Sequence, residues 1–285
     1  MTFWFIPPAW AEVVDAHAEP PQDTFQLGVV AFQQENYPLA TQAFTQAITL
    51  HHKVASSYSN RCLVYLVMDD YPQAINDCTQ GIQLSPGNIE AYLNRGLAHY
   101  RSGDYQSAIT DYNYLLQLKD DDYRGFYNRG LAEFALGQHE IAITDFDACL
   151  EYSPDLSDDR MAEIYDYRGV AHLEMADYEA AIADFTRAVE FDQTDARAYF
   201  HRARARHRQT NYEVALADFN QVLSLAPDHG RTYLNRGMLH LQMGNSGQGI
   251  ADLQQAARCF YQQGETVINQ RTIALLEQIQ AVHRI

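Results

Sequence analysis

A glycine or comparably small residue recurs every 34 residues along this chain, and a period of that length restricts the fold to a stack of short, similar units. The register is clearest where NRGLAHYRSGDYQSAITDY, from Asn94, is followed 34 residues later by NRGLAEFALGQHEIAITDF, from Asn128. Gly28, Cys62, Gly96 and Gly130 share this phase, a five-residue insertion shifts it to Gly169, and Ala203 and Gly237 follow. Twelve residues after each comes a second small residue: Ala40, Ala74, Ala108, Ala142, Ala181, Ala215 and Gly249. Four residues further on stand Phe44, Cys78, Tyr112, Phe146, Phe185, Phe219 and Leu253. An aromatic precedes the first small residue by four in six repeats, at Tyr58, Tyr92, Phe126, Tyr165, Tyr199 and Tyr233.

These spacings predict two helices per repeat. Small residues on facing helices let the backbones approach, and aromatics at helical spacing fill the space that remains. Turn signals such as Ser102-Gly103-Asp104 separate the two helices, and Pro86, Pro154 and Pro227 stand near the ends of second helices. Arginine precedes the small residue in six repeats (Arg61, Arg95, Arg129, Arg168, Arg202, Arg236), and the same six carry aspartate sixteen residues later (Asp77, Asp111, Asp145, Asp184, Asp218, Asp252). The first repeat has Leu27 and Ala43 instead, so both charges are present or absent together. That pattern predicts an ion pair between the two helices of one repeat.

The small and aromatic set resembles the tetratricopeptide repeat. The resemblance implies an all-α, right-handed α-solenoid of about seven helix-turn-helix repeats, at 21–54, 55–88, 89–122, 123–156, 162–195, 196–229 and 230–263. Residues 264–285 are then a capping helix, with Val267, Ile268, Ile273, Leu275, Leu276 and Ile279 expected on one face against the seventh repeat. Residues 1–20 form a leader. Its FWFIPPAWAE stretch reads either as a disordered or groove-packed arm or as the tail of a longer export signal whose start lies upstream. The chain is cytoplasmic as written and exported if residues 1–11 are such a tail.

In that family the first helix of each repeat lines a concave groove. The residue before each arginine would face it, and asparagine stands there at Asn60, Asn94, Asn128 and Asn235. Asparagine is a poor helix residue, so its recurrence suggests a compensating contact. The arrangement resembles the asparagine ladder of the O-linked N-acetylglucosamine transferase superhelix, which implies contact with a peptide main chain; bonds within the scaffold are the alternative. Leu63, Leu97, Tyr100, Tyr127, Leu131 and Phe134 add an apolar stripe, suited to a docked peptide or to packing against the leader or neighbouring first helices. Repeat six departs from this pattern. Arg197, His201, Arg204, His207 and Arg208, with Arg231 of repeat seven, form a basic patch. It fits an acidic peptide or C-terminal carboxylate, or internal pairing with Glu163, Asp166 and Glu174. The chaperone-adaptor carboxylate clamp needs groove lysines, and the chain has only Lys53 and Lys119, so that activity is not carried over.

A net charge of -17 argues against nucleic acid as a partner. Cys62, Cys78, Cys149 and Cys259 lack the spacing of a zinc site, and the sequence implies no metal and no cofactor. Cys62 and Cys78 stand at the small and aromatic places of one repeat, as core thiols or, in an exported protein, as a disulfide. No nucleophile motif or phosphate-cradling loop points to an enzyme, and no apolar stretch is long enough to span a bilayer. The expected role is a scaffold or assembly factor that binds protein or peptide segments in its groove. The alternatives are a self-associating module or a regulatory subunit of an enzyme complex. The leader, the NRG repeats and DLQQAARCFYQQG resemble bacterial, especially cyanobacterial, repeat proteins, some of which assist photosystem or pigment–protein assembly.

Overall fold

The computed structural model describes residues 23–153 and 156–283; the leader at 1–20 lies outside the described residues. Fifteen α-helices and no strand occur among the described residues. The chain divides into two compact units, Met1–Ser153 and Pro154–Ile285. The first contains α1 (Thr24–Gln33), α2 (Tyr37–Thr49), α3 (Val54–Val67), α4 (Tyr71–Leu84), α5 (Ile89–Arg101), α6 (Tyr105–Leu118), α7 (Tyr123–Ala135) and α8 (His139–Tyr152). The second contains α9 (Asp158–Glu174), α10 (Tyr178–Phe191), α11 (Ala196–Arg208), α12 (Tyr212–Leu225), α13 (Gly230–Gln242), α14 (Ser246–Gln262) and α15 (Thr266–His283). The inserted residues lengthen the start of α9, which runs to 17 residues where α11 and α13 have 13.

Each pair closes through the same turn. Glu35, Asp69, Gly103, Gly137, Ala176, Thr210 and Gly244 all have positive φ, and the residue after each is the N-cap of the second helix. Asp70, Asp104 and Asp177 accept a hydrogen bond there from the backbone N–H of Gln73, Ser107 and Ala180. Within each unit consecutive helices pack together, and α1, α3, α5 and α7 in the first unit and α9, α11 and α13 in the second also touch in succession; the even-numbered helices make no comparable contact. The first helices of the pairs therefore form the inner row of each unit.

The small residues are required by the rings opposite them. A β-carbon at Gly96 would lie 2.6 Å from the Tyr112 ring, and one at Gly28 would lie 2.6 Å from Phe44. Phe44, Tyr112, Phe146, Phe185 and Phe219 are fully buried, one in each of five repeats. In the second repeat the same place holds a disulfide: Cys62 and Cys78 are bonded, with α-carbons 5.3 Å apart.

All six arginine–aspartate pairs form, each with two hydrogen bonds, as in Arg95 Nε and Nη2 to the two Asp111 oxygens at 2.9 and 2.6 Å. The guanidinium lies over the aromatic three residues before it, Arg61 on Tyr58 and Arg202 on Tyr199 at 5.5 and 5.3 Å. The structure adds a bond that the pairing within one repeat did not suggest. Nη1 reaches back sixteen residues to the preceding pair, from Arg61 to Thr45, Arg95 to Thr79, Arg129 to Asn113, Arg202 to Thr186 and Arg236 to Asn220. Each of these arginines thus pins its own two helices together and pins the repeat to its neighbour.

On α15, Thr272 and Leu276 are buried and Ile268, Leu275 and Ile279 half-buried, but Val267 and Ile273 are exposed. One helical face cannot hold all six apolar residues, because each step of one residue turns the side chain by about 100°.

Candidate peptide-binding faces

The inner row of the first unit brings Asn60, Asn94 and Asn128 to equivalent places on α3, α5 and α7. They are not equally engaged. The Asn128 amide donates to the Arg124 carbonyl four residues back at 2.7 Å, and Asn235 does the same to Arg231 on α13. Asn60 and Asn94 make no side-chain hydrogen bond among the described residues, although Asn94 is only 8% exposed. Of the apolar stripe, Leu63, Leu131 and Tyr127 are buried, whereas Leu97, Tyr100 and Phe134 are half-buried. Tyr100 packs on Tyr105 and Phe134 on His139, with ring centres 5.4 and 5.1 Å apart.

At the edge of this row Arg124 is held by four side-chain hydrogen bonds, two to Glu90 and two to Asp122. Burial alone would lower its pKa, but the bonds to Asp122 and Glu90 outweigh this and raise it. Its charge is fully used within the unit.

In the second unit the basic residues of α11 divide into two groups. Arg197 is clasped by Asp195, with Nη2 to Oδ2 at 3.1 Å. His201 Nδ1 lies 2.8 Å from Asp166, one of the internal partners expected for this patch. His207 Nε2 meets the Gln242 side-chain oxygen at 2.5 Å. Arg204, Arg208 and Arg231 have no carboxylate partner among the described residues. Arg204 is half-buried with its guanidinium over the Phe200 ring at 5.9 Å, and Arg208 and Arg231 are exposed.

A single substitution accounts for the freedom of Arg231. Arg124 and Arg197 each follow, by two residues, the aspartate that clasps them: Asp122 and Asp195. Before Arg231 that place holds His229, which bonds to Thr232 at 2.6 Å and lies edge-on to Phe200. The contrast of Asp-x-Arg with His229-Gly230-Arg231 is legible in the sequence, but its meaning requires the clasp to be seen. Burial, then the Arg231 charge, lowers the His229 pKa below its usual 6.5. The stability due to neutral His229 is therefore present above the unfolded value and is lost as pH falls through the folded one. In urea denaturation at neutral and mildly acid pH, His229→Gln should lose less stability on acidification than the parent protein.

Comparison with known proteins decides the family. Tetratricopeptide-repeat profiles match residues 63–123, 95–157, 127–196 and 167–230, and a second such profile matches 230–258. The chain belongs to the tetratricopeptide-repeat family. The α-solenoid of helix pairs expected from the resemblance is the fold observed. A tetratricopeptide repeat protein from Parabacteroides merdae is 18% identical with a TM-score of 0.63, over 89% of this chain and 97% of that one. The C-terminal part of a repeat-containing protein from Cytophaga hutchinsonii is 16% identical with a TM-score of 0.68, over 82% and 95%. YrrB, described as a TPR protein with an unusual peptide-binding site, is 18% identical with a TM-score of 0.55, over 64% and 91%. At these identities the likeness concerns the fold alone. No curated protein matches the sequence. No helix among the described residues is long and apolar enough to cross a membrane.

Proposed function

We propose that this tetratricopeptide-repeat protein is a scaffold that holds an extended protein segment along the inner row of its first unit, without chemistry of its own. The observation that carries the reading is the pair of uncommitted amides at Asn60 and Asn94. They stand 34 residues apart at the same place on neighbouring first helices, while the scaffold's arginines and aspartates are satisfied among themselves. A carboxamide both donates and accepts, as a peptide backbone does, and an extended segment offers both groups repeatedly. Half-buried Leu97 and Phe134 supply apolar surface alongside. The family's general use as a non-enzymatic interaction module supports the same reading, as does the peptide-binding site named for YrrB.

Selection of displayed random peptides on the full chain tests it. Selected peptides should bind the parent protein at least about tenfold more tightly than an Asn60→Ala/Asn94→Ala variant, a difference of about 1.4 kcal/mol. Equal binding to both folded proteins would remove the groove reading.

A further inference from the structure

The second unit carries a set of charges that the scaffold does not use. The other arginines of the inner-row helices are committed: six pin the repeats, and Arg124 and Arg197 are clasped by aspartates, while Arg258 and Arg271, which also lack a carboxylate partner among the described residues, lie outside that row on α14 and α15. Arg204, Arg208 and Arg231 have no such partner among the described residues, and all three belong to the inner row formed by α11 and α13. Three guanidinium groups without carboxylate partners on neighbouring helices make a local positive field in a chain of net charge -17, and such a field attracts anionic ligands. We propose that Arg204, Arg208 and Arg231 bind a carboxylate-rich peptide segment. This rests on the reading of the protein as a peptide-binding scaffold and assigns the chemistry of a second binding face.

The spacing suits a short extended chain. Arg231 is the second residue of α13, and Arg204 and Arg208 are the ninth and thirteenth of α11. At about 1.5 Å per residue their levels along these neighbouring helices span about 16 Å. An extended segment of about five residues covers that distance at roughly 3.3 Å each. Stacking on Phe200 limits the orientations open to Arg204, which favours forked recognition of a carboxylate. Asp195 pairs with the neighbouring Arg197 and Asp166 bonds to His201, so the arginines of this row left without a carboxylate are these three. The acidic remainder of the chain repels a long polyanion, which favours a peptide with a few spaced carboxylates over nucleic acid.

The test uses the full chain and a fluorescein-labelled peptide of about ten residues alternating glutamate with serine, set against its glutamine–serine counterpart, at a salt concentration where surface charges are screened beyond about 8 Å. Fluorescence anisotropy should show the glutamate peptide binding at least about tenfold more tightly than the glutamine peptide. Arg204→Gln/Arg208→Gln/Arg231→Gln should abolish that preference. Arg187→Gln, which removes an exposed arginine paired with Glu190 on α10, should leave it intact. Equal affinity for the two labelled peptides, or a triple variant that keeps the preference, overturns the proposal. So does an oligoadenylate that competes as well as the glutamate peptide, since it would mark a general polyanion surface. The variants also separate this proposal from the first. A triple variant that still binds peptides dependent on Asn60 and Asn94, but not the glutamate peptide, supports a distinct acidic site. Loss of glutamate preference in the parent protein with those peptides still bound defeats the acidic reading alone.

Discussion

Replacing Arg129 with methionine should cost about 3 kcal/mol of stability in urea denaturation, and replacing Asp145 with leucine should cost clearly less. Both changes break the same pair, in which Arg129 Nε and Nη2 donate to Asp145 at 2.9 and 2.6 Å. The difference lies in the charge left behind. Stranded Asp145 has a side chain only 3% exposed, and burial already raises its pKa against the pull of Arg129. Glu133 is buried beside it, and burial first, then the Asp145 charge, raises the Glu133 pKa. Among the described residues, Arg129 is the one cation bonded to that carboxylate. Stranded Arg129 is 22% exposed and keeps a hydrogen bond to Asn113 at 2.7 Å and the face of Phe126 at 5.5 Å. The double variant should recover much of the loss, because an apolar pair of similar volume removes both desolvated charges. Additive losses, or a larger cost for Asp145→Leu, would show that the pair does not govern the stability of this repeat.

The scaffold was readable in the sequence because its parts recur. A small residue with an aromatic sixteen residues later recurs five times, and an arginine–aspartate pair at the same interval six times, so local accidents average out. The candidate faces depend instead on departures from the repeat, and a departure has no second copy to interpret it. Arg197 and Arg231 look alike in the sequence; the structure separates them because Asp195 binds the first and His229 stands where a clasp for the second would be. Asn60 and Asn128 likewise share a column, yet only Asn128 bonds to its own helix. The inter-repeat bond from arginine to Thr45, Thr79 or Asn113 escaped for another reason. Its acceptor changes between threonine and asparagine, so no single residue type marks the position.

The disulfide is the departure with the largest expected effect on the fold. Cys62 and Cys78 occupy the places where repeats one, three, four and five set a glycine against a ring. Two thiols fill much less volume than a buried tyrosine or phenylalanine, so a covalent bond does there what ring packing does elsewhere. With its ends separated by sixteen positions in the sequence, the cross-link should contribute about 3 kcal/mol through restriction of the unfolded chain. Dithiothreitol should therefore lower the urea midpoint of the parent protein, and Cys62→Ala/Cys78→Ala should be at least as unstable and insensitive to reductant. The distinguishing variant is Cys62→Gly/Cys78→Phe, which restores the pairing seen at Gly130 and Phe146. Burying the ring should return about 2–3 kcal/mol, against about 1 kcal/mol lost to a glycine within α3. The rebuilt protein should then be more stable than the reduced parent by about 1–2 kcal/mol, with one midpoint in the presence and absence of reductant. A rebuilt protein no more stable than the reduced parent would mean that α3 and α4 are spaced for the disulfide alone and cannot accept the ring.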